Sequence, residues 1–273
     1  MTVGAARLSA SDSARLDAEL LLCRCLQKPH SFLYTWPDET LSETVSDQYL
    51  ALLARRANGE PIAYILQTRM FWALELTISS AVLIPRPETE TLIEAALDLA
   101  IPQQARVLDL GTGSGAIALA LASERPAWQL TATDNSESAV RIAQQNQRQL
   151  SFANVSFVVS DWFAALSGER FDMIVSNPPY IAEHDAHLSQ GDLRFEPRSA
   201  LTAGVDGLDA IRNIVANAGA NLTDSGWLLL EHGFDQAEAV QQLFAQHGFG
   251  RVEVVKDLGG NTRVTLGANR KTK

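Results

Sequence analysis

The regular alternation of strand and helix patterns between Arg106 and Glu231 constrains the fold of this chain more than any other feature. Each predicted strand is a short apolar run, and amphipathic helical patterns separate most of these runs. The predicted strands are 106–110, 128–134, 155–160, 171–175 and 226–231, and the predicted helices are 116–123, 138–150 and 208–222. Such βαβ repetition predicts an α/β domain with a parallel sheet covered by helices on both faces.

The alternation of strands and helices does not continue to the end of the chain. A predicted helix from Gln236 to His247 leads to strand 251–256, and only residues 257–261 join it to strand 262–267. A link this short cannot make a parallel crossover. We therefore expect a Rossmann-like sheet whose last strand is antiparallel, followed by a frayed tail from Arg270 to Lys273.

The N-terminal third reads as a separate helical unit. Apolar residues at helical spacing between Ser13 and Leu26 predict a helix whose buried face carries Leu16. Another helix is predicted to start near Thr40 or Ser42, with Thr40 and Glu43 as a capping box. Short β-favouring runs then predict a hairpin. We expect a helical domain over residues 1–67, which would recognise a substrate protein, a hairpin linker over 68–86, and a catalytic domain over 87–273.

Composition narrows the function classes. The 273 residues include 32 acidic and 22 basic side chains, and the net charge of −10 opposes unassisted binding to a nucleic-acid backbone. Cys23 and Cys25 are the two cysteines, which favours a reducing compartment. No apolar run approaches the roughly 18 to 20 residues that span a bilayer. We expect a cytoplasmic protein that does not bind membranes.

The first strand of the α/β domain is followed by a glycine-rich turn, Gly111-Thr112-Gly113-Ser114-Gly115. Glycine lets the backbone turn sharply and approach a ligand closely. The second strand ends in Asp134, which can accept hydrogen bonds from ribose hydroxyls. Both features fit a nucleoside cofactor, but they do not distinguish a nicotinamide dinucleotide from S-adenosylmethionine.

Two features favour S-adenosylmethionine. The fourth strand is followed by Asn177-Pro178-Pro179-Tyr180, and not by the acid-base residues that hydride transfer requires. The last strand of the predicted sheet is antiparallel. Asp161 and Trp162 follow the third strand and are expected to offer the adenine an acceptor and an apolar wall. The predicted cofactor-binding residues are Gly111, Thr112, Gly113, Ser114, Gly115, Asp134, Asp161, Trp162 and Asn177.

The motif Asn177-Pro178-Pro179-Tyr180 is the predicted catalytic and substrate-binding segment. Taken alone, Asn-Pro is also ordinary turn chemistry. At the rim of an open α/β sheet, however, it presents an amide on a rigid backbone where ligands bind. We expect the Asn177 side-chain oxygen and the Pro178 carbonyl to accept the two N–H bonds of a planar NH2 group, with Tyr180 as a wall.

The motifs resemble those of class I methyltransferases that modify a planar nitrogen. The segments Ile84 to Glu90, Glu60 to Tyr64, Arg194 to Pro197 and Leu230 to Gly233 further resemble one family, the bacterial peptide chain release factor N5-glutamine methyltransferases of HemK type. The resemblance covers nearly the whole chain. It implies S-adenosylmethionine as methyl donor and the glutamine of a Gly-Gly-Gln loop in release factors as substrate.

Several alternatives stay open at this stage. In a nucleic-acid adenine-N6 or guanine-N2 methyltransferase, the same tetrapeptide would bind the planar exocyclic amine of a base. A ribosomal-protein glutamine methyltransferase would share the tetrapeptide, and a noncatalytic adapter would bind cofactor and partner only. The segment 181–207 is longer than an ordinary connection, and we expect it to be a lid or a substrate platform in which Glu196 braces the site. We expect no metal site at His184 and His187. We expect a monomer.

Overall fold

A computed structural model describes residues 2–8, 11 and 13–269 of the chain. The chain forms two compact units, one made of Met1–Thr68 with His187–Phe195 and the other of Arg69–Ala186 with Glu196–Lys273. The hairpin is thus part of the second unit from Arg69 onward. The tail from Arg270 to Lys273, expected to fray, lies outside the described residues.

The first unit is helical. Its helices are α1 (Thr2–Arg7), α2 (Ala14–Leu26), α3 (Phe32–Thr35), α4 (Glu43–Ala57) and α5 (Ile62–Leu66). Leu21 of α2 and Leu53 of α4 are almost completely buried in the core of this unit. Burying a leucine side chain stabilises a fold by about 1.5 to 3 kcal/mol, so these contacts hold the short helices together.

Two local predictions for this unit were wrong. Leu16 does not face the core but is 50% exposed, because the buried face of α2 is centred on Ala18, Leu21 and Leu22. The N-cap of α4 is Ser42, whose hydroxyl accepts from the Val45 N–H, so Thr40 makes no capping box. The short α1 was not predicted at all.

Buried charge explains the shifted face of α2. Asp17 is 2% exposed and pairs with Arg56, with 2.7 Å between Oδ2 and Nε. Arg56 Nη1 also lies 3.4 Å from the Asp192 carboxylate. Arg194 in the same returning segment donates to the Asn58 carbonyl. These contacts join residues 187–195 to the helical unit across more than a hundred positions of sequence, which periodicity cannot reveal.

The second unit contains the strands and the remaining helices. The strands are β1 (Thr68–Phe71), β2 (Leu74–Thr77), β3 (Arg106–Leu110), β4 (Gln129–Asp134), β5 (Val155–Val159), β6 (Phe171–Ser176), β7 (Leu222–Glu231), β8 (Gly250–Lys256) and β9 (Thr262–Ala268). The helices are α6 (Glu90–Asp98), α7 (Ala116–Glu124), α8 (Glu137–Leu150), α9 (Asp209–Asn221) and α10 (Ala237–Gln246). A 3-10 turn, Pro87–Thr89, precedes α6.

The predicted sheet topology is confirmed. Strands β1 and β2 form a separate hairpin, and the main sheet has seven strands in the order β5-β4-β3-β6-β7-β9-β8. The strands from β3 to β7 pair in parallel, whereas β9 is antiparallel to both of its neighbours. The last strand therefore inserts between β7 and β8. This is the α/β architecture expected from the sequence.

Helices cover both faces of the sheet. On β3, Val107 packs in one core cluster and the next residue, Leu108, in the other, because successive strand side chains point to opposite faces. The Val107 cluster includes residues of α6, α7 and α8, and the Leu108 cluster includes residues of α9 and α10. Within the described residues, no helix combines the length and apolarity needed to cross a membrane.

Candidate active site

A cavity of about 320 Å³ opens at the carboxyl edge of the main sheet. Register explains why the predicted site residues meet there: Leu110 at the end of β3 pairs with Thr133 of β4 and with Ser176 of β6. The residues that follow these three positions therefore leave the sheet side by side. The walls come from residues 80–83, Gly111, Gly113, 134–136, Ser138, Ala139, 160–162, Asn177, Pro179, Pro197, Ser199 and Ala200.

The glycine turn contributes backbone to the cavity wall. Gly111 and Gly113 have φ values of +72° and +56°, which favour glycine. A Cβ atom on Gly113 would meet no protein atom within 4 Å, so the missing side chain leaves open space at the cavity wall. The turn is secured to β4 by the Gly111 and Thr112 N–H groups, which both donate to the Thr133 carbonyl at 2.9 Å.

Three predicted cofactor contacts do not line the cavity but support the turn. The Thr112 hydroxyl donates to Asp109 Oδ2 at 2.6 Å, and the Ser114 carbonyl accepts from Asn146 Nδ2 at 2.9 Å. Gly115 is needed for packing, since a Cβ there would lie 3.1 to 3.2 Å from three neighbouring side chains. The assignment of Thr112, Ser114 and Gly115 as cofactor contacts stays a prediction, since spacing alone does not separate ligand contacts from residues that support the turn.

Asp134 is held in a fixed orientation at the cavity wall. Its Oδ2 accepts from the Gly113 N–H and its Oδ1 from the Ser136 N–H, both at 2.9 Å. Each carboxylate oxygen has a second lone pair, so the side chain can still accept hydrogen bonds from a ligand. Vicinal ribose hydroxyls are suitable donors for such a carboxylate.

The turn after β5 carries Asp161 and Trp162, and both line the cavity. Trp162 has a φ of +46°, an unusual conformation for a bulky residue. Ser160 stabilises it, because its hydroxyl donates to the Trp162 carbonyl at 2.9 Å and accepts from the Ala165 N–H at 3.0 Å. A conformation of this kind beside a cavity points to a functional constraint on the indole.

The structure separates the members of the predicted catalytic segment. Asn177 and Pro179 line the cavity, whereas Pro178 and Tyr180 do not. The Asn177 amide nitrogen donates to the Thr89 hydroxyl at 3.0 Å. Tyr180 turns its hydroxyl to Glu231 at 3.3 Å, while its carbonyl accepts from Gln236 at 2.9 Å. Tyr180 thus anchors the segment.

Two buried carboxyl groups lie next to this site. Burial is the main cause that raises the pKa of Asp109 to about 7 and that of Glu231 to about 7. Burial also raises the pKa of Tyr180, and the nearby Glu231 adds to this effect, so the phenol stays neutral. Oδ1 of Asp109 and Oε2 of Glu231 are buried without a hydrogen-bond partner among the described residues.

Sequence reasoning did not place residues 80–83 in the site, whereas it expected the segment 181–207, which contains Ser199, to lie beside it. Glu196 joins the two segments: it is 5% exposed, accepts from the Ile84 N–H at 3.1 Å, and forms an ion pair with Arg86. Glu196 was predicted to brace the site, and these contacts lie in the two segments, Ile84 to Glu90 and Arg194 to Pro197, that resemble the HemK-type family. The described residues contain no cluster of His, Cys, Asp or Glu arranged to hold a metal ion.

Comparison with known proteins defines the class and then the family. The crystal structure of the hMettl16 catalytic domain in complex with MAT2A 3'UTR hairpin 6 has a TM-score of 0.60, 19% sequence identity, and covers 81% of this chain and 82% of that chain. At this identity the likeness shows the fold alone. Together with the antiparallel β9, it defines a Rossmann-like methyltransferase fold.

Sequence relatives are more specific. Residues 1–66 match the PrmC N-terminal domain and residues 87–194 the methyltransferase small domain. A release factor glutamine methyltransferase of Pseudomonas aeruginosa is 55% identical over 96% of this chain and 95% of its own length, and that of Escherichia coli is 49% identical over 96% and 94%. The chain belongs to the release factor glutamine methyltransferase family.

Proposed function

We propose that this protein transfers a methyl group from S-adenosylmethionine to the side-chain amide nitrogen (N5) of the glutamine in the Gly-Gly-Gln loop of peptide chain release factors. The observation that carries the proposal is the placement of Asn177 at the cavity wall with its NH2 group bonded to Thr89. This arrangement leaves the Oδ1 atom of Asn177 as an acceptor for a substrate NH2 group. Membership in the release factor glutamine methyltransferase family supports a glutamine side chain as the source of that NH2 group.

The cavity residues fit S-adenosylmethionine. The open space at Gly113 admits a ligand close to the backbone, and Asp134 would hold the ribose hydroxyls. Trp162 would pack against the adenine, and Asp161 would accept from its amino group. When bound, S-adenosylmethionine supplies an electrophilic methyl group on a positively charged sulfur.

A carboxamide nitrogen is a poor nucleophile because its lone pair is delocalised into the carbonyl group. Positioning is therefore the main contribution of the protein, and favourable alignment can supply roughly 7 to 11 kcal/mol. Asn177 Oδ1 would accept one N–H bond of the glutamine amide at the cavity wall, and the carbonyl of the adjoining Pro178, which is not itself a lining residue, is proposed to accept the other. Both acceptor bonds strengthen as positive charge develops on the nitrogen during methylation. The surplus proton is then lost to solvent.

Rigidity keeps these acceptors in place. The two prolines restrict the backbone of the segment, and Tyr180 is held by hydrogen bonds to Glu231 and from Gln236. Glu196, next to the lining residue Pro197, is held by the Ile84 N–H and by Arg86. A site that is already ordered loses little entropy when the substrate binds.

The helical domain over residues 1–67 is proposed to recognise the release factor. It exposes large apolar side chains, with Tyr34 at 55% and Trp36 at 59% exposure, and aromatic residues are enriched where proteins bind each other. We further propose a monomer that acts in the cytoplasm without binding nucleic acid. Cys23 and Cys25 are both free thiols, as expected in a reducing compartment.

The decisive experiment combines the purified protein, radiolabelled S-adenosylmethionine and ribosome-free cytosolic extract, and then maps the labelled residue. Label on the glutamine of a Gly-Gly-Gln loop is the expected result. A release factor with that glutamine replaced by asparagine serves as matched control and should remain unlabelled. Label that survives protease and is lost on nuclease treatment would replace this proposal with a nucleic-acid substrate. Absence of label in every fraction would favour a noncatalytic adapter.

A further inference from the structure

We propose that Asn146 is a positioning residue of the cofactor cavity, whose side-chain amide fastens both the glycine turn and the hairpin of β1 and β2 to α8. The inference rests on the proposed function, since it explains how two walls of the cavity are kept in place for S-adenosylmethionine. Asn146 is fully buried, and the residues that it bonds belong with it to the second unit.

The Asn146 side chain makes three hydrogen bonds, all of them with backbone groups. Its Oδ1 atom accepts from the Thr77 N–H at 2.7 Å. Its Nδ2 atom donates to the Thr77 carbonyl and to the Ser114 carbonyl, both at 2.9 Å. The amide thus uses both of its donors. One side chain therefore joins the last residue of β2 to the glycine turn.

The nature of these partners fixes the direction of the amide. A backbone N–H can only donate, and a backbone carbonyl can only accept. In the reversed orientation, the NH2 group of Asn146 would face the Thr77 N–H, and its oxygen would face the two carbonyls. A buried polar group without a partner costs more free energy than a hydrogen bond contributes. The folded protein therefore selects one orientation of this side chain.

The glycine turn needs an anchor of this kind. Gly113 and Gly115, on either side of Ser114, have φ values of +56° and +85°, and glycine leaves the backbone free to adopt others. The Gly113 N–H is bonded to Asp134, and Asn146 fixes the Ser114 carbonyl one residue later. Because Gly113 borders the cavity, a change in the direction of that carbonyl would move the cavity wall.

The hairpin leads to another part of the wall, since the lining residues 80–83 follow closely after Thr77. At its turn the hairpin is held by Trp72, whose backbone N–H donates to Glu90 Oε1 at 2.9 Å. The indole N–H of Trp72 donates to Glu124 Oε1 at 2.7 Å. Asn146 holds the other end, so this hairpin is tied to α6, α7 and α8.

Asn146→Leu removes all three bonds and keeps the branched shape of the side chain. A glycine turn without this anchor samples other conformations, and the apparent Kd rises in inverse proportion to the fraction that can bind. We expect the Kd for S-adenosylmethionine, measured by calorimetry, to rise about tenfold, which corresponds to about one competent molecule in ten. The KM for S-adenosylmethionine should rise equally, while kcat at saturating cofactor stays near the wild-type value. A merely structural role would lower kcat through loss of folded protein and leave KM unchanged.

Two control variants separate positioning from stability. Gln149→Leu removes the bond of 2.9 Å from the Thr77 hydroxyl to Gln149 Oε1, so it loosens the same hairpin residue without touching the glycine turn. Ile214→Ala removes buried volume from the core cluster on the opposite face of the sheet. Well below the Tm, both should keep the wild-type Kd for S-adenosylmethionine. A wild-type Kd in Asn146→Leu, or an equal rise in either control, would overturn the inference.

A second readout requires neither cofactor nor substrate. In the unliganded protein, the backbone amide resonances of Gly113 and Gly115 should shift in Asn146→Leu and stay in place in both controls. Unshifted resonances in Asn146→Leu would also overturn the inference. If the wild-type protein binds no S-adenosylmethionine, the proposed function fails, yet these resonances still decide the positioning role. If it binds S-adenosylmethionine but methylates no release factor, the proposed substrate fails and the comparison of Kd values still decides this role.

A measurement on the wild-type protein covers the case in which Asn146→Leu does not fold. Both side-chain NH2 protons of Asn146 are bonded to carbonyls in a buried position, so they should exchange with solvent far more slowly than those of the exposed Asn213. Equal exchange rates for the two side chains would show that the anchor is not formed, and would overturn the inference.

Discussion

Replacing Asp109 by asparagine is expected to change how the stability of this protein depends on pH. The carboxyl group lies under the glycine turn, is fully buried, and has its pKa raised from 3.8 to about 7, mainly by burial. Its bonds to Thr112 and to the Ala118 backbone act in the opposite direction, and the charge of Asp134 adds to the rise. Asparagine keeps the shape but cannot ionise.

The sign follows from proton binding. An acid whose pKa is higher in the folded state binds its proton more tightly there, so its contribution to stability is complete below pH 3.8 and is lost as the pH rises through about 7. The shift corresponds to about 4 kcal/mol in total at 1.36 kcal/mol per pKa unit. Relative to wild type, Asp109→Asn should therefore gain free energy of unfolding as the pH rises.

The measurement is urea denaturation of both proteins at several pH values from about 5 to about 8, where most of the change falls. The difference between variant and wild type isolates Asp109 from the other titrating groups. Asp38→Asn, at an exposed carboxylate, is the control for the substitution itself. A constant difference for Asp109→Asn would refute the argument that burial holds this carboxyl largely protonated.

Three further substitutions test the site. Asn177→Ala should lower kcat by about one to two orders of magnitude through loss of a bond to a charging group, with cofactor binding retained in calorimetry; near-normal turnover contradicts the role. Asp134→Asn should weaken S-adenosylmethionine binding about tenfold or more in the same assay, and unchanged affinity would remove it from the cofactor site. Gly115→Ala should lower the free energy of unfolding more than Gly248→Ala. Both glycines have φ above +80°, but only at Gly115 would the added Cβ meet neighbouring side chains. Equal decreases in the free energy of unfolding would mean that backbone strain alone matters.

Local patterns predicted the α/β domain well. Strand and helix periodicity depends on which side chains face a core, and this information is present in each short segment. The antiparallel β9 followed from the length of one loop, since the residues between Lys256 and Thr262 cannot cross the sheet. The edge where the site lies followed in turn from the direction of the parallel strands.

The first unit shows where such reasoning fails. A charged residue is normally assigned to the surface, and the apolar pattern of α2 placed its buried face on Leu16 and not on Asp17 or Glu19. Both are buried, Asp17 beside Arg56 and Glu19 with Arg15 and His30 as partners. The partners are chosen by folding, and a buried charge is stable only where such a partner is present.

The sequence by itself determined which residues stand at the ends of the first four parallel strands: a glycine turn, an acid, an acid with an aromatic ring, and the segment beginning at Asn177. Only the tertiary structure decided which residues of these motifs border the cavity and which pack against other side chains. Gly113 borders the cavity while Gly115 lies against three neighbouring side chains, and the Asn177 amide donates to the hydroxyl of Thr89, 88 positions away. A motif specifies residue types and spacing, but hydrogen-bond direction and burial depend on neighbours that only folding brings into contact.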